Sequence, residues 1–333
     1  MNVCTIVTKQ YWSFARTLAK SVLALHPSAQ VYVLLADQVD GHFDPTAEPF
    51  HTIFLEDLGN TETIKKMSFY YTAFEFCCAL RGFLHDYMWH KTSATEWVFL
   101  DSDIYVVGDL SDIVNSLGKA SLLLNPHNTS PATPEFFLGG ELVMLKHGIF
   151  NGGFLGLRRC EDTRLFISWF IDRLSRYCFL GVPGLFVDQL WLNHVPNYFK
   201  NVASYTHPGA NLAHWNLYKR TLRKDAQGRY LADDLPLMFV HFTGWDIDLP
   251  GEVSKHELGY RNMPIPQLQI WKELGEQYRA DLLSNGYLQA RHWPYAFDKL
   301  PDGRVVTPEM RRKYYKDLFK GVQHHVSPFP PVS

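Results

Sequence analysis

Apolar and polar positions follow two different periods along the first hundred residues. Val3–Val7 is an apolar run of strand length, Tyr11–Leu25 carries an apolar stripe at helical spacing that stops before Pro27, and Val31–Leu35 is again a strand. Residues 50–55 fit another. From Lys66 to Tyr87 the period is helical, with Phe69, Ala73, Phe76, Leu80 and Phe83–Leu84 on one side. Trp97–Leu100 then reads as a strand. Strands separated by helical patterns imply an α/β fold with a parallel sheet of the nucleotide-binding kind.

Beyond Asp103 the pattern changes. A strand at 120–124 leads into the polar, proline-containing stretch Asn125–Pro134, which reads as a surface loop. Phe150–Leu157 follows, then a helix over 163–178, a break at Gly181–Gly184 and the segment Leu185–Val195. Residues 206–235 are rich in turn-forming and charged types, Leu237–Phe242 returns to strand, and helices near 266–286 and 307–320 close the chain. No repeat or linker stands out. The expected organisation is one domain over 1–260 with a C-terminal extension, 261–333, packed on it.

Composition narrows the class. With 333 residues, 46% of them hydrophobic and 20% charged, the chain is long enough to bury a core without disulfides or a structural metal. A formal charge of −2 argues against a nucleic-acid partner, which calls for a basic field. The five cysteines, Cys4, Cys77, Cys78, Cys160 and Cys178, are odd in number and scattered, the usage of reduced thiols in the cytoplasm. The N-terminus enters a strand directly, without the basic start and apolar stretch of a secretory signal, and no run is long enough to span a bilayer.

The most informative segment is Trp97-Val-Phe-Leu-Asp-Ser-Asp103, an apolar strand ending in two carboxylates. The carboxyl ends of strands are where open α/β sheets bind ligands. On an extended segment Asp101 and Asp103 project to one side and would share a hard divalent cation, leaving coordination positions for substrate phosphates. The motif alone is weak, since Asp246-Ile-Asp248 fits it too and reads as a loop. Other segments add weight. Asn151-Gly152-Gly153 places two glycines in an apolar strand, which marks either a bulge or a close approach of a ligand. Asp188-Gln189 opens a largely apolar helix, where the simpler reading of Asp188 is an N-cap. The loop His207–Asn216 is of ligand-binding composition, with a surface turn the equal alternative. His241 ends a strand before Gly244; as a ligand its nitrogen would tilt an oxygen-rich site toward Mn²⁺ over Mg²⁺.

In this order the motifs D-x-D, N-G-G-F, D-Q and H-F-x-G resemble the family 8 GT-A glycosyltransferases, and a related group of bacterial glycosyltransferase-like proteins. Phe76-Cys-Cys-Ala-Leu-Arg81, Asp188-Gln-Leu-Trp191, Asn211-Leu-Ala-His-Trp-Asn216 and His241-Phe-Thr-Gly244 carry the likeness over about residues 1–260. It implies a GT-A fold, a Rossmann-like mixed sheet flanked by helices with a C-terminal helical elaboration. It also implies a hexosyltransferase acting on a nucleotide-sugar, UDP-linked, and retaining configuration. The acceptor would be a hydroxyl of a glycan or lipid-linked glycan in polysaccharide biosynthesis.

The same resemblance assigns roles. Asp101, Asp103 and His241 would hold Mn²⁺ or Mg²⁺ against the donor diphosphate. Thr5, Val7 and Thr8 would line base and ribose, joined by Ser102. Lys66 and Arg81 stand where the family has basic donor contacts, although Arg81 also fits a helix-surface charge. Asn151, Gly152, Gly153, Asn211 and Gly244 would shape the donor pocket, and Asp188 and Gln189 would flank the anomeric carbon. One departure is visible: after H-F-x-G the family often continues with a lysine and a tryptophan that clamp phosphate, whereas this chain has Trp245-Asp246-Ile-Asp248, so Lys219, Arg220 or Arg223 would have to serve. Two rivals are a non-catalytic nucleotide-sugar or glycan-binding module and a sugar nucleotidyltransferase. The latter calls for a glycine-rich basic loop where Thr8-Lys-Gln-Tyr-Trp-Ser stands. The basic segment 304–320 fits either a peripheral contact with the inner membrane face or a solvated helix with an apolar inner side.

Overall fold

The computed structural model of the protein describes residues 1–131, 138–256 and 265–320. The end of the proline-containing loop, residues 261–264 of the extension and everything after 320 lie outside the described residues. Among the described residues there are twelve strands: β1 Asn2–Val7, β2 Gln30–Leu35, β3 His51–Ile53, β4 Glu96–Leu100, β5 Ile104–Val106, β6 Leu122–Pro126, β7 Phe150–Arg158, β8 Val202–Ser204, β9 Leu222–Lys224, β10 Tyr230–Ala232, β11 Leu235–Pro236 and β12 Phe239–His241. The helices are α1 Trp12–Leu25, α2 Thr61–Tyr70, α3 Ala73–Ala79, α4 Arg81–Lys91, α5 Ser111–Leu117, α6 Leu138–His147, α7 Glu161–Leu174, α8 Val195–Tyr198, α9 Ile265–Ser284, α10 Tyr287–Ala290 and α11 Pro308–Phe319.

Seven strands form one sheet in the order β3-β2-β1-β4-β7-β6-β8. The first four run parallel, as their helical spacing requires, but β7 is antiparallel to both β4 and β6. The strands of the first hundred residues are thus parallel as their pattern implies, and the whole sheet is mixed, as the resemblance implies. Side chains alternate across it. Cys4, Ile6, Trp97 and Phe99 enter a core covered by α2–α4, α7 and α11, while Val3, Val7, Val98 and Leu100 enter a second core under α1 and α5.

The helical stretch from Lys66 to Tyr87 is broken into three helices. Thr72 is the reason: its hydroxyl accepts from Glu75 N, and the Glu75 carboxylate accepts from Thr72 N at 2.9 Å, a reciprocal cap that restarts the chain. The turn-rich region 206–235 holds a small antiparallel sheet, β9–β11. A third core joins Leu212, Val240 and Phe242 to Trp271, Leu274 and Tyr278 of α9, with the Phe242 and Tyr278 rings stacked at 4.5 Å.

Helix α11 turns its apolar side inward, Met310, Tyr314, Tyr315 and Leu318 packing on the first core. Arg311 is buried and donates to Phe69 O and Tyr71 O at 2.7 Å each. Arg304, Arg312, Lys313, Lys316 and Lys320 are exposed on the segment expected to meet a membrane, and so are Val305, Glu309 and Phe319. Among the described residues no helix is long and apolar enough to cross one.

Candidate functional site

Three chain returns build one cluster at the carboxyl end of β4. The strand stops at Leu100 and the backbone turns, Ile104 N donating to Asp101 O at 3.0 Å. Asp101 and Asp103 thus converge through a tight turn rather than through the pleat of an extended strand. β12 pairs antiparallel with β5, opposing His241 to Ile104, and Phe242 N donates to Asp103 O at 3.0 Å. Antiparallel β7 brings Gly153 O to Asp101 N at 2.9 Å. As a result one ligand atom each of Asp101, Asp103 and His241 lies within 4.8 Å of the others. His241 Nε2 is 3.1 Å from Asp103 Oδ1 and 3.8 Å from Asp101 Oδ2. Two carboxylates and one imidazole form a mixed oxygen and nitrogen set that could hold a divalent cation.

Electrostatics couple the cluster. Burial alone would lower the His241 pKa, but the Asp103 charge and hydrogen bond, helped by Asp101, move it upward. Burial pushes Asp103 up, yet His241 more than offsets this and holds it low. Asp101 stays raised, because desolvation outweighs Arg81 and His241. Arg81, at the start of α4, donates to Asp101 Oδ1 at 2.5 Å, to Asp188 Oδ2 at 2.6 Å and to Gly152 O. It is an internal bridge between carboxylates and not the helix-surface charge that its position in the sequence allowed.

Asp188 makes no side-chain cap bond to the 3₁₀ turn Gln189–His194 that follows it, so the N-cap reading fails. Its carboxylate is buried and raised by desolvation, with Arg81 opposing. Val187, just before it, has φ +41°. A β-branched residue in the left-handed region is a strained one, the kind of outlier that collects at functional sites. Gln189 Oε1 accepts from Gly152 N at 2.9 Å, and its Nε2 donates to His147 O at 3.0 Å. The two glycines have a reason here: a Cβ at Gly152 would lie 2.8 Å from Arg81 Nη1 and 2.9 Å from Asp188 Oδ2, and one at Gly153 would lie 2.7 Å from Asp101 Oδ2. The missing Cβ atoms make room for the site's own side chains.

The other expected residues separate into near and far. Ser102 sits half-exposed in the turn between the two aspartates. Gly244, at φ +66°, follows His241 and lets His256 close over it. Asn151 and Asn211 are buried, and Asn211 gives its amide to protein groups alone: Asn125, Asn151 and His241. Its side chain thus lies directly behind the His241 ring. Thr5 lies within β1 and Val7 at its carboxyl end, both buried, with Thr8 buried just beyond the strand. Lys66 is remote, in a groove with Tyr70, Asp172, Arg176 and Phe319. Of the substitute cations, Arg220 pairs with Asp233 at 3.1 Å, Arg223 with Asp234 at 2.8 Å, and Lys219 donates to Ser130 O. Asp246 and Asp248 are exposed, Asp246 capping Asp248 N within the loop. Asn125 and His127 carry no role in the sequence reading, and His214 and Trp215 enter it only as members of the loop His207–Asn216. The Trp215 ring packs edge-on against His127, His214 and His241 at 5.1–5.3 Å.

No protein-family model matches the chain. The uncharacterised protein YfnF of Bacillus subtilis (strain 168) is 25% identical over 270 residues, 79% of this chain and 88% of YfnF. Among solved structures, the galactosyltransferase LgtC in complex with donor and acceptor sugar analogs is 17% identical with TM-score 0.48, covering 83% of this chain and 96% of LgtC. The glycosyltransferase GlyE of Streptococcus pneumoniae TIGR4 is 18% identical with TM-score 0.49, covering 90% of this chain and 66% of GlyE. Likenesses at this level assign neither activity nor substrate to the chain.

Proposed function

We propose that the chain is a metal-dependent glycosyltransferase of the GT-A type. It takes a sugar from a nucleotide-sugar, UDP-linked, and passes it with retention to a hydroxyl of a glycan or lipid-linked glycan in the cytoplasm. Residues 1–260 form the transferase domain and 261–333 its extension. One observation carries the reading: Asp101, Asp103 and His241 meet within a ligand sphere while Arg81 ties Asp101 to the buried Asp188. A divalent cation held by the first three residues supplies electrostatic stabilisation of the departing diphosphate.

The chain's own groups supply position. Arg81 holds the Asp188 carboxylate next to the strand that carries Gly152, and Gln189 is fixed on the same backbone through Gly152 N. An anionic Asp188 facing the anomeric carbon stabilises the positive charge that develops there. Its fixed orientation is in place before the reaction begins, which is the main economy of a preorganised site.

The test is a panel of nucleotide-sugars assayed for binding and consumption with and without Mn²⁺, on wild type and on Asp101→Ala. Mn²⁺-dependent consumption of one donor, lost in the variant, is the expected result. Binding without consumption in the presence of glycan acceptors would favour a binding module, and binding of no donor would sink the proposal.

A further inference from the structure

A chain of three buried amides and one imidazole runs from the backbone into the metal-ligand cluster, and each group in it has a forced orientation. Asn125 Nδ2 donates to Tyr205 O at 2.7 Å. A carbonyl only accepts, so Asn125 must turn its Oδ1 the other way, toward Asn211. Asn151 Oδ1 accepts from Gly153 N at 3.1 Å, so it too presents an acceptor. Asn211 therefore has to offer Nδ2 to both, at 2.9 Å and 3.1 Å. Its Oδ1 is left for His241 Nδ1, 3.0 Å away. An oxygen acceptor there requires hydrogen on Nδ1, and in the neutral ring Nε2 then carries the lone pair.

That lone pair faces Asp101 and Asp103, the direction from which a cation would be held. Asn211 is itself pinned. It lies at φ +57°, its carbonyl accepts from Asn216 Nδ2 at 2.9 Å, and the following residue joins β12, His241 N donating to Leu212 O at 2.8 Å. Every amide in the chain is buried, so water does not compete for the bonds that set the orientation.

We infer that Asn211, with Asn125 behind it, is a positioning residue that fixes His241 as an Nε2 metal ligand. The inference rests on the metal-site reading above. Outer partners of this kind orient the ring and set its tautomer, and their loss typically lowers metal affinity about 10–100-fold.

The experiment measures Mn²⁺ affinity without any donor, from the loss of the free-ion electron paramagnetic resonance signal. Asn211→Gly keeps the left-handed backbone accessible and removes the amide. It is expected to bind Mn²⁺ about 10–100-fold more weakly than wild type, with Asn211→Asp, which keeps an oxygen against Nδ1, lying closer to wild type. A folded Asn211→Gly protein with wild-type affinity overturns the inference and leaves the metal site standing. A wild type that takes up no Mn²⁺ removes the metal site itself and the inference with it. Independently of any variant, ¹⁵N-histidine spectra of the wild type saturated with Mg²⁺ should show His241 protonated at Nδ1 and bare at Nε2. The opposite tautomer would refute the role of Asn211.

Discussion

Arg81 and Asp188, 107 positions apart, form an ion pair 2.6 Å long with side chains 10% and 3% exposed. The same guanidinium reaches Asp101 at 2.5 Å. One cation therefore serves two carboxylates from different parts of the chain, one in the metal-ligand cluster and one outside it. Placing a charge where water is scarce is tolerable only when its hydrogen-bonding capacity is met, and the planar fork of arginine suits two acceptors at once.

Removing that fork leaves two carboxylates without their partner. Arg81→Leu is expected to destabilise the fold by about 3–5 kcal/mol, the range for breaking a buried ion pair from one side. Arg81→Lys should recover only part of this, because one ammonium does not reproduce the fork. Urea unfolding of the three proteins measures it, and an Arg81→Leu midpoint equal to wild type would show that the bridge adds nothing to stability.

Gly153→Ala makes a complementary test within the cluster. The new methyl would meet Asp101 Oδ2 at 2.7 Å and Asn151 Oδ1 at 2.9 Å, both held by other bonds. Mn²⁺ binding should fall by at least about tenfold, in the range seen when ligand geometry is disturbed, while far-ultraviolet circular dichroism stays close to wild type. Undiminished Mn²⁺ uptake would mean that the cluster has more slack than its packing implies.

The parts of this protein legible in its sequence are those governed by local pattern. β1, α1, β2 and β4 follow from periods of two and 3.6, and the two aspartates stand out because they end an apolar strand. What escaped depends on long-range pairing. The reversed direction of β7 has no local signal, since a strand buried on both faces reads alike in either direction. Lys66 and Arg81 look alike as basic residues of one helical stretch, and only the break at Thr72 sends one to a distant groove and the other into the site. Asn125 was read as the start of a loop because it precedes Pro126, yet its amide anchors a chain ending at His241. Asn211 carries a signal in its motif, but its left-handed backbone, full burial and bond to His241 Nδ1 have no signature in composition.

Arg311 offers a prediction about the C-terminal segment. It donates to Phe69 O and Tyr71 O at 2.7 Å and to Phe297 O at 3.0 Å, so it ties α11 to the end of α2 and to the preceding turn. Arg311→Ala would leave buried carbonyls unpaired, a loss on the order of 3 kcal/mol. The loosened segment should be cut faster by protease between α10 and α11 than in wild type. Equal cleavage rates would show that the apolar side of α11 suffices to hold it.

Acid should act through buried neutral histidines, and His85 gives the cleanest readout. Burial, with Arg81 nearby, lowers its pKa to about 3, and its Nδ1 accepts from Trp97 Nε1 at 3.2 Å. The unfolded ring titrates near 6.5. Its contribution to stability is therefore complete above pH 6.5 and is lost as pH falls toward 3, because the unfolded chain binds the proton and the folded protein does not. His127, lowered to about 4, and His214, lowered to about 3, both chiefly by burial, act with the same sign. Asp37 acts with the opposite sign: burial raises it from 3.8 to about 6 against the pull of Lys9, so its contribution is complete below 3.8 and fades as pH rises through 6. A difference measurement isolates one group from this sum. The unfolding free energy of wild type minus that of His85→Phe should fall on acidification from pH 6 to pH 4 with a slope of about 1.4 kcal/mol per pH unit, one proton's worth. A difference independent of pH would mean that His85 takes up its proton without unfolding.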